Sequence, residues 1–144
     1  MKKIVFSILM ILLTTFATVA QNMSSHQWKE RILIVLTTDS SSDAFKKQVQ
    51  LFENNRPGLE ERKLQIYLAS PDAYKNFNAN DDRWNTGGSL YKKYISKDSG
   101  FELVLIGLDG SIKLRTYSLT PMEDIFVTID GMPMRRSEIK RNKN

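Results

Sequence analysis

FELVLIGLDGSIKLRTYS, residues 101–118, places two strand-like runs on either side of the dipeptide Asp109-Gly110. This dipeptide tolerates the positive backbone angles of a tight turn, so the stretch predicts a β-hairpin. In the second run Lys113 and Arg115 alternate with apolar residues, and they therefore point away from the core, towards solvent or a ligand. The other predicted elements are arranged around this hairpin.

Two further strands precede the hairpin. RILIVLTT, residues 31–38, is a short β-branched run without strict alternation, which indicates a central strand covered on both faces. KLQIYLAS, residues 63–70, alternates apolar and polar residues and predicts a strand with one face more protected from solvent than the other. Apolar residues from Phe45 to Phe52 recur at helical spacing, and NNRPG at 54–58 is expected to close that helix. Strand, helix and strand predict a parallel crossover unit.

The remaining segments complete the predicted order. Residues 71–88 form a long polar excursion, and its aromatic residues Tyr74, Phe77 and Trp84 either cover the core or offer a binding surface. SLYKKYI at 89–95 predicts a short helix. A capping box from Thr120 to Glu123 predicts a last helix that Gly131 ends. The order β-α-β-α-β-β-α predicts an α/β domain of the thioredoxin-like arrangement, with a four-stranded mixed sheet and helices on both faces.

The chain begins MKKIVFSILMILLTTFATVAQ, which pairs Lys2 and Lys3 with an apolar run and small residues near Ala20. This pattern is typical of a secretory signal peptide. The apolar run is shorter than the roughly 20 residues of a membrane span, although an uncleaved anchor is an alternative. We expect residues 1–20 to be removed, which predicts a periplasmic or secreted protein without stable membrane insertion.

The rest of the chain has the length of one domain. Residues 21–27 are polar and predict a linker, residues 28–138 predict the domain, and residues 139–144 predict a basic tail. The chain carries 21 basic and 16 acidic residues, and the last ten, RRSEIKRNKN, contain five cations and one carboxylate. One basic end on a nearly neutral body is a poor footprint for DNA or RNA, so we predict no nucleic-acid partner.

The composition also limits the chemistry. The chain contains no cysteine, which excludes disulfides and thiolate metal sites. The only histidine, His26, lies in the predicted linker and lacks partners there for a metal site or a catalytic triad. The spacing of Asp72, Asp81 and Asp82 matches no calcium loop. We therefore predict no metal and no cofactor.

Four segments together resemble a known domain family of unknown function: WKERILIVLTT at 28–38, EERKLQIYLA at 60–69, FELVLIGLDGSIKLR at 101–115 and IDGMPMRRSE at 129–138. We call them the family segments. The family occurs in small exported bacterial proteins and in animal extracellular proteins such as the sushi-repeat-containing proteins. The resemblance implies a peroxiredoxin-like thioredoxin fold, and it implies no catalytic residue.

The loop after the first predicted strand reads LTTDSSSDAF, residues 36–45. In a peroxiredoxin this loop holds a reactive thiolate, activated by a helix N-terminus and an arginine. Serine has no accessible redox couple, so thiol chemistry is excluded. One of the three serines is interpreted as the N-cap of the next helix. An alternative function, a non-thiol hydrolase or transferase, would use Thr38, Asp39, Ser41 and Arg115.

MPMRR, residues 132–136, has three interpretations. Arg135 and Arg136 pair with acids such as Asp130 and Glu138, or they bind an acidic partner together with Lys113 and Arg115, or they contact nucleic acid, which the poor basic footprint disfavours. The leading hypothesis is therefore a non-enzymatic module of the cell envelope or extracellular space that binds an unknown protein or an anionic polysaccharide. Binding of an anionic glycan through the basic C-terminal end is kept as a separate alternative.

Overall fold

The computed structural model describes residues 23–96 and 99–143, so the predicted signal peptide, residues 1–20, lies outside the described residues. Six strands form one mixed sheet in the order β4-β3-β2-β1-β5-β6. Their bounds are Arg31–Thr37 for β1, Leu64–Ala69 for β2, Ala73–Asn76 for β3, Asn85–Thr86 for β4, Phe101–Ile106 for β5 and Ile112–Thr116 for β6. The predicted number of four strands is wrong, because the excursion at residues 71–88 contributes β3 and β4 at the edge beyond β2.

Five helices of six residues or more accompany the sheet within these residues. They are α1 at Asp43–Glu53, α2 at Arg56–Glu61, α3 at Ser89–Tyr94, α4 at Met122–Asp130 and α5 at Pro133–Asn142. The sequence did not predict α2 or α5, and each has a proline in its first turn, where no helical hydrogen bond is lost. Residues 139–142, predicted as part of a basic tail, belong to α5.

Strand β1 is central, as its apolar run predicted. It pairs in parallel with β2 and antiparallel with β5, and all its residues are buried. Leu33 and Val35 pack on one face with side chains of α1, α2 and α4, whereas Ile34 packs on the other face with side chains of α3. Tyr67 of β2 is buried on the α3 face, so both faces of that strand are covered too.

The start of α4 differs from the predicted capping box. The helix begins at Met122, and no side chain caps it. The Thr120 N–H instead donates to Gln48 Oε1 at 2.9 Å, and Gln48 Nε2 donates to the Thr120 carbonyl at 3.1 Å. Gln48 is fully buried on the apolar face of α1, where it ties that helix to the β6–α4 connection. This long-range pairing takes the place of the local cap.

None of the helices within residues 23–96 and 99–143 is both long enough and apolar enough to cross a membrane.

Candidate functional site

Hydrogen bonds within the domain hold the loop between β1 and α1. Asp39 Oδ1 accepts from the Ser41 N–H at 2.8 Å and from the Ser41 hydroxyl at 2.6 Å, and these bonds lower the pKa of Asp39. Ser42 is the N-cap of α1 and accepts from the Phe45 N–H at 3.4 Å. The exposed Thr38 donates its N–H to the Gly100 carbonyl. A lowered pKa makes Asp39 a weaker general base for Ser41.

Arg115 is held elsewhere in the sheet. Its Nη1 donates to the Tyr94 carbonyl at 2.8 Å and forms an ion pair with Glu102, whose side chain is fully buried. Glu102 also accepts from the N–H and the hydroxyl of Ser96 at 3.1 and 3.0 Å. The guanidinium of Arg115 is thus used to neutralise a buried carboxylate, and these contacts do not bring it to Ser41.

Arg135 and Arg136 have different environments although they are adjacent. Arg135 is 2% exposed, and its guanidinium donates to Asp130 at 3.2 Å, to the Glu61 carbonyl at 3.1 Å and to Glu138 at 3.4 Å. Arg136 is exposed. For Arg135 the structure bears out the interpretation that it pairs with Asp130 and Glu138, whereas Arg136 presents its charge to solvent.

Arg135 belongs to a network of three arginines and three carboxylates, namely Arg31, Arg62, Arg135, Glu61, Asp130 and Glu138. Arg31, fully buried, donates to Glu138 at 3.1 Å and to the Arg62 carbonyl at 2.8 Å, and Arg62 pairs with Asp130 at 2.6 Å. Burial opposes ionisation of Asp130, but hydrogen bonds from Arg62 and Arg135 outweigh it and lower its pKa. Burial likewise disfavours ionised Glu138, and its contacts with Arg31 and then Arg135 lower its pKa.

The network joins three of the family segments. Arg31 comes from the segment at 28–38, and Arg62 from the one at 60–69. Asp130, Arg135 and Glu138 come from the segment at 129–138. The charged residues of these segments therefore stabilise one end of the domain, where the N-terminal ends of β1 and β2 meet the α4–α5 connection. We call it the segment end.

A cavity of about 150 Å³ lies at the segment end. It is lined by Arg31, Leu108, Asp109, Lys113, Met132, Pro133 and Met134. Trp28 lies next to this cavity, because its backbone N–H donates to the carbonyl of the lining residue Leu108 at 2.8 Å. Trp28 is 62% exposed. Trp28 has a φ of 66°, which is uncommon for a bulky residue. Met134 is 44% exposed. The segment end thus presents apolar side chains above a buried ionic network.

His26 is placed differently from the prediction. Its Nδ1 contacts Glu30, its Nε2 lies 2.9 Å from the Tyr67 hydroxyl, and Glu30 accepts from Gln65 at 3.0 Å. Burial, and next the charge of Glu30, raise the pKa of Tyr67. The described part of the predicted linker, residues 23–27, is therefore fastened to the sheet through His26. The spacing of four between His26 and Glu30 was the signal available in the sequence.

The described residues hold no group of three or more His, Asp or Glu side chains arranged to bind a metal ion. The groups at the β1–α1 loop, at Glu102 and at the segment end are engaged in capping, turn or ion-pair contacts.

The fold is similar to that of the reduced 2-Cys peroxiredoxin of Plasmodium vivax, with a TM-score of 0.56 and 13% sequence identity over 79% of this chain and 83% of that chain. At this identity the likeness concerns the fold alone, and it defines a thioredoxin-like α/β protein built without cysteine. The family described as Domain of unknown function (DUF4174) matches residues 22–138, and the chain belongs to this family. No curated protein matches the chain.

The comparisons confirm the predicted resemblance to a domain family of unknown function and the thioredoxin-like fold. The fold has six strands in place of the predicted four.

Proposed function

We propose that the chain is an exported, non-enzymatic module of the cell envelope or extracellular space that binds a partner protein through its segment end. The observation that carries the proposal is that the family segments contain two groups of residues, buried charges that are paired and apolar residues that are exposed. Their buried charges, such as Arg31 and Arg135, are paired inside the domain, whereas Trp28 and Met134 remain exposed. Tryptophan and methionine are enriched in protein interfaces and depleted from ordinary surfaces.

Three further observations support this function. A chain without cysteine has no thiolate, so the peroxiredoxin-like fold retains the scaffold without its redox chemistry. The basic start and apolar run of residues 1–20 support export. Exposed cations on and after α5, among them Arg136 and Lys140, support an acidic partner.

The proposal is tested by site-specific photocrosslinking in the native envelope. The photoreactive residue p-benzoylphenylalanine replaces Met134 in one variant and Leu119 in a matched control. The two native residues are similarly exposed, Met134 at 44% and Leu119 at 40%. We expect a discrete adduct from position 134 that excess unlabelled wild-type protein competes away, and no such adduct from position 119. The partner identified from the adduct is then purified and titrated against wild-type protein and Trp28→Ala, which should bind more weakly.

Equal adduct patterns at the two positions, or none at either, would contradict the proposed surface. An adduct that glycan-degrading enzymes remove and proteases leave intact would assign the surface to an anionic polysaccharide instead. Turnover of hydroperoxide by purified protein would contradict the non-enzymatic function altogether.

A further inference from the structure

The cavity at the segment end has the size of one side chain. Its volume of about 150 Å³ is below the range of about 300–1,000 Å³ that is usual for small-molecule sites. A space of this size holds one compact apolar group, such as a benzene ring. Leu108, Met132, Pro133 and Met134 supply apolar surface, and methionine side chains adapt their shape to the group they contact. These dimensions match the pocket that receives a single anchor residue in a protein interface.

Arg31 adds a polar requirement to this cavity. The residue lines the cavity and its side chain is fully buried, with its two terminal nitrogens bonded to Glu138 and to the Arg62 carbonyl. Within residues 23–96 and 99–143, Arg31 Nε has no hydrogen-bond partner. A buried donor without an acceptor is costly. Arg31 Nε has no surface open to solvent, so a ligand oxygen reaches it only after the side chains that cover it shift, and the hydrogen bond formed there gains more than one at a hydrated surface. Since Glu138 already balances the guanidinium charge, a neutral carbonyl suits the position better than a second carboxylate.

In the lining of the cavity Asp109 is paired with Lys113 at 2.8 Å, so among the described residues the unpaired charge near it lies on α5. Helix α5 begins at the cavity and continues with the exposed residues Arg136, Lys140 and Arg141. No ion pair within the described part of the chain involves these three cations, whereas the acid of the same helix, Glu138, is used by Arg31 and Arg135. Carboxylates of a partner complement such a row of cations, and they raise the rate of encounter as well as the specificity.

We infer that the cavity receives one apolar side chain, of the size of leucine, from an acidic segment of a partner polypeptide. The carbonyl oxygen next to that anchor accepts a hydrogen bond from Arg31 Nε, and the flanking carboxylates face the cations of α5. This inference rests on the proposed function and specifies what the segment end recognises.

The anchor is tested with two small probes, N-acetyl-leucine methylamide and N-acetyl-alanine methylamide. Both carry the same carbonyl groups and differ only in the side chain. Binding to the protein is followed by NMR through the Arg31 Nε–Hε resonance and the methyl signals of Met132 and Met134. We expect the leucine probe to shift these signals saturably and the alanine probe to bind at least about tenfold more weakly, because it buries less apolar surface.

Two variants and two peptides provide the controls. Met134→Lys should abolish the shifts caused by the leucine probe, and the matched substitution Leu119→Lys should leave them unchanged. The peptide acetyl-DELED-amide should bind at least about tenfold more tightly than acetyl-KKLKK-amide at low salt, and the difference should shrink as added salt screens the charges. The folded state of each variant is verified from its NMR spectrum.

Equal binding of the leucine and alanine probes, or retained binding by Met134→Lys, would overturn the anchor assignment. An Arg31 Nε–Hε signal that stays in place while the methionine signals shift would overturn the role of Arg31. Crosslinking at position 134 together with either of these results would leave the proposed function standing and reject only the anchor. Failure of crosslinking would reject the proposed function whatever the probes show.

Discussion

Replacement of Arg135 by methionine tests whether the segment end depends on its ionic network. Methionine keeps an apolar stem of similar length and removes the guanidinium. Arg135 is 2% exposed as a residue, and its guanidinium contacts Asp130, Glu138 and Glu61. The Glu61 side chain is 62% exposed, so its ion pair contributes little.

The remaining contacts set the magnitude. Asp130 keeps Arg62 as a partner and Glu138 keeps Arg31, so neither carboxylate is left isolated. A hydrogen bond to a charged group contributes about 1.5–3 kcal/mol, and breaking a buried ion pair costs about 3–5 kcal/mol. Because two arginines remain in the network, we expect Arg135→Met to lower the free energy of unfolding by about 2–3 kcal/mol.

The assay is urea denaturation followed by far-UV circular dichroism, with Arg136→Met as the matched control. Arg136 is exposed, so its substitution should change the free energy of unfolding by less than about 0.5 kcal/mol. An unchanged dependence of the free energy on urea concentration would show that both variants unfold over the same surface area.

The same comparison has a pH dependence of known sign. The folded-state pKa values of Asp130 and Glu138 are lowered, so the stability that they contribute is present above the ordinary carboxyl pKa of about 4 and is lost as the pH falls through the lowered values. The difference between wild type and Arg135→Met should therefore be complete at pH 7 and decrease below about pH 4. Equal small losses for the two arginine variants, or a difference independent of pH, would refute the structural role of Arg135.

Two other substitutions address the packing of the fold. In Gly88→Ala the new Cβ would lie 1.8 Å from the Pro71 carbonyl oxygen, so the backbone must move and the free energy of unfolding should fall by about 1–3 kcal/mol, whereas the adjacent Ser89→Ala should be neutral in the same urea assay. Gln48→Leu leaves the buried N–H and carbonyl of Thr120 without their partner and should cost about 2–3 kcal/mol, measured by thermal unfolding. A neutral Gln48→Leu would mean that water replaces the amide.

The predictable parts of the fold are those with local signals. Asp109-Gly110 lies at the turn between β5 and β6, and Gly110 has the positive φ of 80° that the dipeptide indicated. The apolar run at 31–38 contains the central strand β1. The excursion at 71–88 was harder to interpret, because β3 and β4 are short and carry polar residues. They are strands only by pairing with β2 and with each other.

The candidate site residues also divide into those whose role had a local signal in the sequence and those whose role depends on the tertiary structure. The sequence predicted that one of the three serines caps α1 and left open which one, and the structure shows that it is Ser42. It could not separate Arg135 from Arg136, because adjacent residues on a helix differ in direction by about 100° and only the position of α5 on the domain determines which one is buried. Of the two partners of His26, Tyr67 was missed because it lies 41 residues away in the chain, whereas Glu30 is only four residues away.

The sequence by itself determined that this protein lacks thiol chemistry, since it contains no cysteine, and it determined the hairpin and the central strand, whose signals are local in the chain. The tertiary structure alone decided which charges are structural and which face solvent. Arg31 and Glu138 are separated by 107 residues and meet only because β1 and α5 reach the same end of the domain. A buried ion pair depends on three-dimensional proximity and on the exclusion of water, and neither can be derived from the order of residues in one short stretch.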